Sequence, residues 1–250
     1  MSPAPGWVLV TGGAKRLGAN IARACAAAGW RVVIHYGQSA EEAQSLAEEL
    51  AGASVQGDLS DPAAAAALFA RSRDAAGGPI AALVNSASAF EFDRPEAIDP
   101  ALAARLHATN AVSPALLASA LAAQGDLAEG AVVNLLDQKL ANPNPDFFSY
   151  TLSKYALAGA TTMLAQALAP RVRVNAVAPG ITLPSGGQSK AEFATVASDN
   201  LLRHPVGAGN VAEAVVYLLG ARSVTGQTLY VDAGQRFVAS ARDVMFGEAA

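Results

Sequence analysis

Two residues that could carry out proton transfer, Tyr150 and Lys154, lie four positions apart in the sequence. Within a helix this spacing brings both side chains to one face. A phenol with its ordinary pKa of about 10 is a poor acid–base group at neutral pH, and a nearby ammonium group lowers that pKa. The pair can therefore combine a proton donor with its activator, although the same spacing is common in surface pairs.

A second candidate site is the glycine-rich segment Thr11–Gly18, which follows the first predicted strand and leads into a predicted helix. Glycine lets the backbone turn tightly and approach a pyrophosphate, whose charge is met by amide groups at the helix N-terminus. An ordinary turn between strand and helix is the alternative interpretation. The position of the segment favours a dinucleotide site.

The end of the second predicted strand favours NADP(H) over NAD(H) as the dinucleotide. Proteins that bind NAD place an acidic residue there to hold the ribose 2′-hydroxyl. Here the segment 33–39 contains no acid, and the first one that follows is Glu41. An acid would repel a 2′-phosphate, whereas Arg16, Ser39 and His35 could contact one. The sequence therefore predicts NADP(H) as the cofactor.

Short β-branched segments alternate with Ala- and Leu-rich helical segments along the chain. Strands are predicted at residues 7–10, 31–36, 54–56, 81–85, 131–135, 173–176 and 228–231. Helices are predicted at residues 17–28, 40–50, 62–75, 100–123, 147–168 and 211–219. This alternation predicts an α/β fold of the Rossmann type, a doubly wound parallel sheet of about seven strands with helices on both faces. No low-complexity linker divides the chain, so we expect a single domain over residues 1–250.

The composition excludes several classes of function. The 250 residues are 52% hydrophobic and 15% charged, which argues against disorder. The net charge is −4 and no Lys/Arg block stands out, so neither nucleic acid nor a membrane is an expected partner. No uninterrupted apolar run of membrane-spanning length occurs, and we expect a cytoplasmic protein. The single cysteine, Cys25, excludes an internal disulfide, and no metal site is expected.

Together the glycine segment and the Tyr150/Lys154 pair resemble the short-chain dehydrogenase/reductase family, over Trp7 to about Arg236. Arg16 stands where the family usually has the middle glycine of its loop, as in the variant found in pteridine reductases. The resemblance implies an NADP(H)-dependent oxidoreductase that acts on a small molecule and forms a homotetramer. Tyr150 and Lys154 would be its catalytic pair.

The resemblance also implies roles for residues outside these two motifs. Asn110 would hold a water that links Lys154 to solvent in a proton relay. Ser86 replaces the second asparagine of the family's Asn-Asn-Ala-Gly segment. Asp58 matches the family's adenine-contacting segment, and capping of the next helix is the alternative interpretation. The implied cofactor contacts are Thr11, Gly12, Lys15, Arg16, Leu17, Gly18, His35, Ser39, Asp58, Leu59, Asn85, Ser86, Ala87, Lys154, Pro179, Gly180 and Ile181.

Asp137 marks the most informative departure from the family pattern. It lies thirteen residues before Tyr150, where the family normally has a serine that binds a substrate carbonyl oxygen. A carboxylate would repel an oxygen that gains negative charge, but it suits a substrate with N–H donors or a ring nitrogen that takes up a proton. Pteridine reductases carry this Asp. Phe90 aligns with their aromatic residue that stacks the pterin against nicotinamide, with core packing as the alternative.

The leading hypothesis is an oxidoreductase in which NADPH delivers hydride to a dihydropterin- or dihydrofolate-like ring. Phe90, Asp137 and Tyr150 would bind this substrate, and Tyr150, Lys154, Asp137 and Asn110 would form the catalytic group. A general carbonyl (ketone) reductase of the same family is the second possibility. A non-catalytic NADP(H)-binding redox sensor is the third, and the presence of Tyr150 and Lys154 counts against it.

Overall fold

A single parallel sheet forms the centre of the computed structural model, which describes residues 6–184, 190–243 and 246. Within these residues it has seven strands in the order β3-β2-β1-β4-β5-β6-β7. The strands are β1 (Trp7–Thr11), β2 (Arg31–Tyr36), β3 (Ala53–Gln56), β4 (Ile80–Asn85), β5 (Gly130–Leu135), β6 (Val172–Pro179) and β7 (Thr228–Val231). All neighbouring pairs are parallel, which confirms the predicted doubly wound α/β sheet.

Eight α-helices accompany the sheet within the described ranges. They are α1 (Arg16–Ala27), α2 (Ala40–Glu49), α3 (Ala65–Ala76), α4 (Pro100–His107), α5 (Ser113–Ala122), α6 (Phe148–Leu168), α7 (Lys190–Ala197) and α8 (Ala208–Gly220). Short 3-10 turns occupy residues 62–64, 138–141 and 235–237. Helix α7 was not predicted, because its sequence follows a Gly-, Pro- and Ser-rich stretch that indicated a loop.

Alternating side chains of the central strands pack into two separate cores, one on each face of the sheet. Val8 and Val10 of β1 join the core that includes residues of α1, α2 and α8. Leu9, between them, joins the core that includes residues of α3, α5 and α6. Because successive strand residues face opposite sides, a strand covered on both faces must be apolar throughout. The observed burial therefore explains the continuous apolar strands of the sequence.

The predicted helix 100–123 is interrupted by a π-helical segment at residues 108–112, which separates α4 from α5. Pro114 lies just after this segment and has no amide hydrogen to bond the carbonyl group four residues earlier, that of Asn110. The wider turn therefore occurs where a regular α-helix would lack one backbone hydrogen bond. It places Asn110 at the irregular point of the helix, and such π-bulges often occur at functional sites.

The strand order reverses between β1 and β4, which are neighbours in the sheet although β2 and β3 lie between them in the chain. Ligands of open α/β sheets bind outside the carboxyl ends of the strands at such a reversal. The glycine segment and the residues that follow β4 and β5 all lie at this edge. Among the helices of the described residues, none combines the length and the apolar character needed to cross a membrane.

Candidate active site

Two glycines of the segment Thr11–Gly18 lie where a side chain could not be accommodated. Gly12 has a φ of +61°, and a Cβ at this position would stand 2.8 Å from the Cα of Ala87. A Cβ at Gly18 would collide with the backbone carbonyl of Gly12. The turn between β1 and α1 therefore packs directly against the segment after β4.

Thr11 and Asn85 shape this edge of the sheet from within the protein. The Thr11 hydroxyl accepts hydrogen bonds from the backbone amides of Ser86 (3.0 Å) and Ala87 (3.1 Å). The Asn85 side-chain amide donates to Oδ1 of Asn134 at 2.8 Å. Both Thr11 and Asn85 are buried. The Thr11 side chain thus joins the glycine segment to the loop after β4, and that of Asn85 joins β4 to β5. The predicted cofactor contacts of both residues stay predictions.

His35 is a buried link between two loops. Its Nδ1 accepts a hydrogen bond from the Gly12 amide at 3.1 Å, and its Nε2 lies 3.1 Å from the Gly57 carbonyl oxygen. Burial lowers the pKa of His35 to about 4, so the ring is neutral near pH 7. A neutral ring that accepts at Nδ1 carries its proton on Nε2 and donates it to Gly57. This differs from the expectation that His35 contacts a 2′-phosphate, because its two nitrogen atoms are already committed to the backbone.

A cleft of about 640 Å³ opens along the carboxyl edge of the strands beside the glycine segment. Most of the predicted cofactor contacts line it: Gly12, Lys15, Arg16, Leu17, Gly18, His35, Asp58, Leu59, Ser86 and Ala87. Lys15 forms an exposed ion pair with Glu42 at 2.6 Å, so its charge is partly engaged. Ser39 lies just before α2 and does not line the cleft. Arg16 donates a 2.7 Å hydrogen bond to the Pro184 carbonyl, but unlike Lys15 it is in no ion pair with a carboxylate among the described residues.

Tyr150 and Asp137 meet at the centre of the site. The Tyr150 hydroxyl donates a 2.8 Å hydrogen bond to Oδ2 of Asp137, and Oδ1 of Asp137 accepts one from the Lys139 amide at 2.8 Å. The Lys154 ammonium donates to the Leu135 carbonyl at 2.8 Å and lies 5.6 Å from the centre of the Tyr150 ring. The end of β5 and the start of α6 therefore bring together three of the four residues that the sequence predicted to be catalytic.

The pKa values of these groups follow from burial and from the neighbouring charges. Desolvation raises the pKa of Tyr150 well above its usual range, and the Asp137 carboxylate raises it further. Desolvation also raises the pKa of Asp137, and it lowers that of Lys154 to about 8. Burial and Asp137 therefore outweigh any lowering by Lys154, and the net pKa shift of the phenol is opposite to the expected one. Tyr150 is protonated, and it is a proton donor rather than a preformed base.

Phe90 forms an aromatic wall next to this pair. Its ring packs edge-on against Tyr150, with centroids 4.7 Å apart, and stacks on Phe147 at 4.2 Å. The Phe90 side chain is 44% exposed, so it is not an ordinary core residue. One face of the Phe90 ring is therefore covered by Phe147, and part of the side chain remains accessible to a ligand.

Asn110 joins the loop after β4 to helix α6. Its Oδ1 accepts hydrogen bonds from the Ala89 amide (2.8 Å) and the Ser88 hydroxyl (3.2 Å). Its amide group donates to the Ala89 carbonyl (2.9 Å) and the Ser153 hydroxyl (3.0 Å). These four bonds use the full capacity of an asparagine side chain. The geometry favours a bracing role, and the predicted water relay to Lys154 stays a prediction.

The segment after β6 closes the site from the other side. Pro179 and Gly180 line the short passage next to Tyr150 and Lys154. The Ile181 amide donates to Oε1 of Gln235 at 3.1 Å, so a residue far along the chain shapes this segment. Gln235 carried no recognisable signal in the sequence, since a glutamine near a C-terminal turn is usually solvated.

Three adjoining spaces form one continuous site. The cleft beside the glycine segment shares Leu17, Ser86 and Ser88 with the passage next to Lys154. That passage shares Asp137 and Tyr150 with a second cavity of about 270 Å³, which extends toward Phe90 and Arg242. An elongated ligand along the strand ends can therefore reach Tyr150 from one side, and a smaller planar one from the other. No group of His, Cys, Asp and Glu suited to holding a metal ion occurs in the described part of the chain.

The chain matches a family model of the short-chain dehydrogenase/reductase type over residues 12–236, described as enoyl-(acyl carrier protein) reductase. The chain belongs to the short-chain dehydrogenase/reductase family. It is therefore an oxidoreductase of that family, and the hypothesis of a non-catalytic sensor loses its support.

Several characterised short-chain dehydrogenases/reductases are similar over most of their length. Pteridine reductase 1 of Leishmania tarentolae is 32% identical, with 93% of this chain and 97% of the relative covered. Bovine L-xylulose reductase is 34% identical, with 90% of this chain and 94% of the relative covered. The crystal structure of FolM alternative dihydrofolate reductase 1 from Brucella canis, complexed with NADP, superposes with a TM-score of 0.90 at 40% identity, covering 96% of this chain and 97% of that chain.

Proposed function

We propose that this short-chain dehydrogenase/reductase uses NADPH to reduce a C=N bond of a dihydropterin-like ring. The observation that carries the proposal is the hydrogen bond between Tyr150 and Asp137, at the position where the family normally has a serine. The similarity of the chain to a pteridine reductase and to an alternative dihydrofolate reductase points to the same class of substrate.

The cleft beside the glycine segment fits a dinucleotide. Gly12 and Gly18 leave no room for side chains at the points where the loop closes, so backbone amides at the start of α1 can face a pyrophosphate. Arg16 would meet the 2′-phosphate, and no acidic side chain among residues 33–39 would oppose it. Bound NADPH would supply the hydride. Pro179, Gly180 and Ile181 would lie along the nicotinamide end.

Tyr150 and Asp137 would manage the proton that the ring nitrogen takes up. The phenol is protonated and hydrogen-bonded, which suits a donor during reduction. Asp137 would accept hydrogen bonds from the N–H groups that a pterin presents on one edge. After Tyr150 gives up its proton, the nearby Lys154 ammonium would stabilise the phenolate. Phe90 would cover one face of the planar ring.

A second candidate function is the reduction of simple ketones. The observation that favours it is the raised pKa of Asp137, caused mainly by desolvation, because a protonated carboxyl can donate a hydrogen bond to a carbonyl oxygen. The similarity to bovine L-xylulose reductase is in line with this alternative. In that case Asp137 would act much as the family's serine does.

The proposal extends to assembly and location. Apolar side chains on the outer surfaces of α5 and α6, Leu116, Leu152, Tyr155 and Met163, are exposed in the single chain. Helix contacts between copies would cover them, which supports the homotetramer expected for the family. We also propose the cytoplasmic location that the sequence led us to expect. Light scattering coupled to gel filtration tests the assembly, and a monomer at micromolar concentration would contradict it.

A panel assay tests the proposed function. NADPH consumption is followed with dihydrobiopterin, dihydrofolate, a quinonoid pterin and several simple ketones, all in one enzyme preparation. We expect the highest kcat/KM with one of the dihydropterins or dihydrofolate. A preference for ketones would replace the pterin assignment with the second candidate. If none of these compounds leads to NADPH consumption, both candidate functions are contradicted.

A further inference from the structure

The cavity next to Tyr150 has two walls that come from distant parts of the chain. One is the loop after β4, which carries Phe90 and Arg94. The other is the C-terminal strap, defined here as residues 238–243 together with Phe246, of which Val238, Ser240 and Arg242 line the cavity. Neither wall belongs to the sheet, so the distance between them depends on what connects them.

A buried carboxylate forms a polar connection between the two walls. Asp146 has no exposed side-chain surface, and its Oδ1 accepts a hydrogen bond from Arg94 at 2.8 Å. Its Oδ2 accepts one from Nε of Arg242 at 2.7 Å and one from the Asp243 amide at 2.8 Å. Asp146 thus holds the Phe90 loop with one oxygen atom and the C-terminal strap with the other. It lies two residues before α6, which carries Tyr150.

Further contacts tie the strap to the same region. The buried Lys139 ammonium lies 2.9 Å from Oδ2 of Asp243 and donates to the Asp146 carbonyl at 2.7 Å. The Asn142 amide donates to the Val238 carbonyl at 2.6 Å. Phe246 packs against Phe147 with ring centres 5.9 Å apart. The strap is therefore attached at several points. Asp146 also holds the opposite wall through Arg94, and the ring of Phe246 reaches that wall directly, with its centre 4.9 Å from that of Phe92.

The charge state of Asp146 supports a permanent link. Desolvation opposes its ionisation, but the hydrogen bonds from Arg242 and the Asp243 amide, together with the charge of Arg94, keep its pKa below the usual range. Removing one partner of a buried, hydrogen-bonded charge leaves the other uncompensated and is strongly unfavourable. Each link to Asp146 is therefore sensitive to single substitutions.

We propose that Asp146 is a positioning residue that, together with the ring contact between Phe92 and Phe246, sets the width of the substrate pocket by holding the Phe90 loop and the C-terminal strap at one distance. The inference rests on the proposed function only in taking this cavity as the substrate's. Asp146 touches neither the cofactor cleft nor Tyr150 through any described contact. Loss of the link should therefore weaken substrate binding and leave cofactor binding unchanged.

Arg242→Ala and Asp146→Asn test the proposal, with Arg23→Ala as the matched control. Arg23 is also half-exposed and forms a two-point ion pair, with Glu49, but it lines none of the cavities described above. We expect Arg242→Ala to raise KM about tenfold while kcat changes much less, the pattern of lost binding without lost chemistry. Arg23→Ala should leave KM unchanged. The Kd of NADPH should stay near the wild-type value in all three variants.

KM is measured on whichever compound of the panel the wild-type enzyme reduces best, so failure of the pterin assignment does not obscure this result. Hydrogen exchange followed by mass spectrometry adds a readout that needs no substrate. Asp146→Asn should speed exchange in both the Phe90 loop and the strap, whereas Arg242→Ala should speed it mainly in the strap. An unchanged KM in both variants, or equal rises in KM and in the Kd of NADPH, would overturn the proposal. Faster exchange throughout α6 and the sheet in Asp146→Asn would also overturn it.

Discussion

The Tyr150 hydroxyl donates a 2.8 Å hydrogen bond to Oδ2 of Asp137, so an acid and a carboxylate meet where a substrate oxygen or nitrogen atom would lie. Burial keeps the phenol protonated, and the carboxylate raises the pKa of Tyr150 further. This is the opposite of a phenolate activated in advance by Lys154. A proton held in this way is available to a substrate atom that becomes basic as it is reduced.

Replacing Tyr150 by phenylalanine should remove the acid and little else. The ring against Phe90 is preserved, while the hydroxyl that bonds Asp137 is lost. We expect turnover to fall at least about 100-fold, the usual scale for a general acid, with the Kd of NADPH near that of the wild type.

Tyr155→Phe is the matched control for this substitution. Tyr155 lies on the same helix, and its hydroxyl donates to the Leu140 carbonyl at 2.8 Å on the exposed side. This variant should retain nearly full activity. If Tyr150→Phe kept more than about a tenth of wild-type activity, Tyr150 would not be the general acid.

Cofactor preference should depend on Arg16. We expect NADPH to bind at least about tenfold tighter than NADH, which corresponds to about 1.4 kcal/mol. Arg16→Ala should reduce this ratio more than Lys15→Ala does, because Lys15 is paired with Glu42. Fluorescence titration with both cofactors measures the ratio. Equal affinities of the wild type for NADPH and NADH would be incompatible with a 2′-phosphate contact. So would an equal loss of affinity for the two cofactors in Arg16→Ala.

His35 should make folding stability depend on pH. Its pKa is about 4 in the folded chain, compared with about 6.5 in an unfolded one. As the pH falls from 6.5 toward 4, the unfolded chain takes up a proton that the folded chain does not, so stability decreases with decreasing pH. The contribution of His35 at the acidic end is about 3 kcal/mol.

Urea unfolding of His35→Asn and of the wild type across this pH range measures the effect of His35. Asparagine can still accept from the Gly12 amide, and it does not titrate. The variant should lose part of the acid sensitivity. His204→Asn is the control, since His204 is exposed and should keep the wild-type dependence. Parallel stability curves for the wild type and His35→Asn would rule out a neutral, buried His35.

The sheet was predictable because strands buried on both faces leave an unambiguous apolar pattern. The segment 8–10 illustrates this, since Val8 and Val10 face one core and Leu9 the other. The break in the helix over residues 100–123 was not predicted, because a π-turn depends on where Pro114 removes an amide within an otherwise regular pattern. Helix α7 was hidden by the Gly- and Ser-rich residues before it.

At the site, motif spacing predicted that Asp137, Tyr150 and Lys154 would come together. It could not predict the direction of the Tyr150 hydrogen bond, which depends on burial. Spacing also did not predict that the His35 ring is hydrogen-bonded between the backbones of Gly12 and Gly57. Long-range partners such as Gln235 and Arg242 come from the end of the chain and share no local pattern with the site.

The central claim is that Asp137 makes this site a reductase of nitrogen heterocycles. Asp137→Ser restores the hydroxyl that ordinary family members direct at carbonyl oxygens. Reduction of the best pterin substrate should fall about 100-fold, as expected when an acid–base group is lost. Activity on simple ketones should hold steady or rise in the same preparation, and an unchanged Kd of NADPH would show that the fold is intact. The decisive measurement is the ratio of kcat/KM for pterin to kcat/KM for ketone in Asp137→Ser and in the wild type. A sharp drop in this ratio is predicted, and an unchanged ratio, with both activities reduced together or neither affected, would contradict the account.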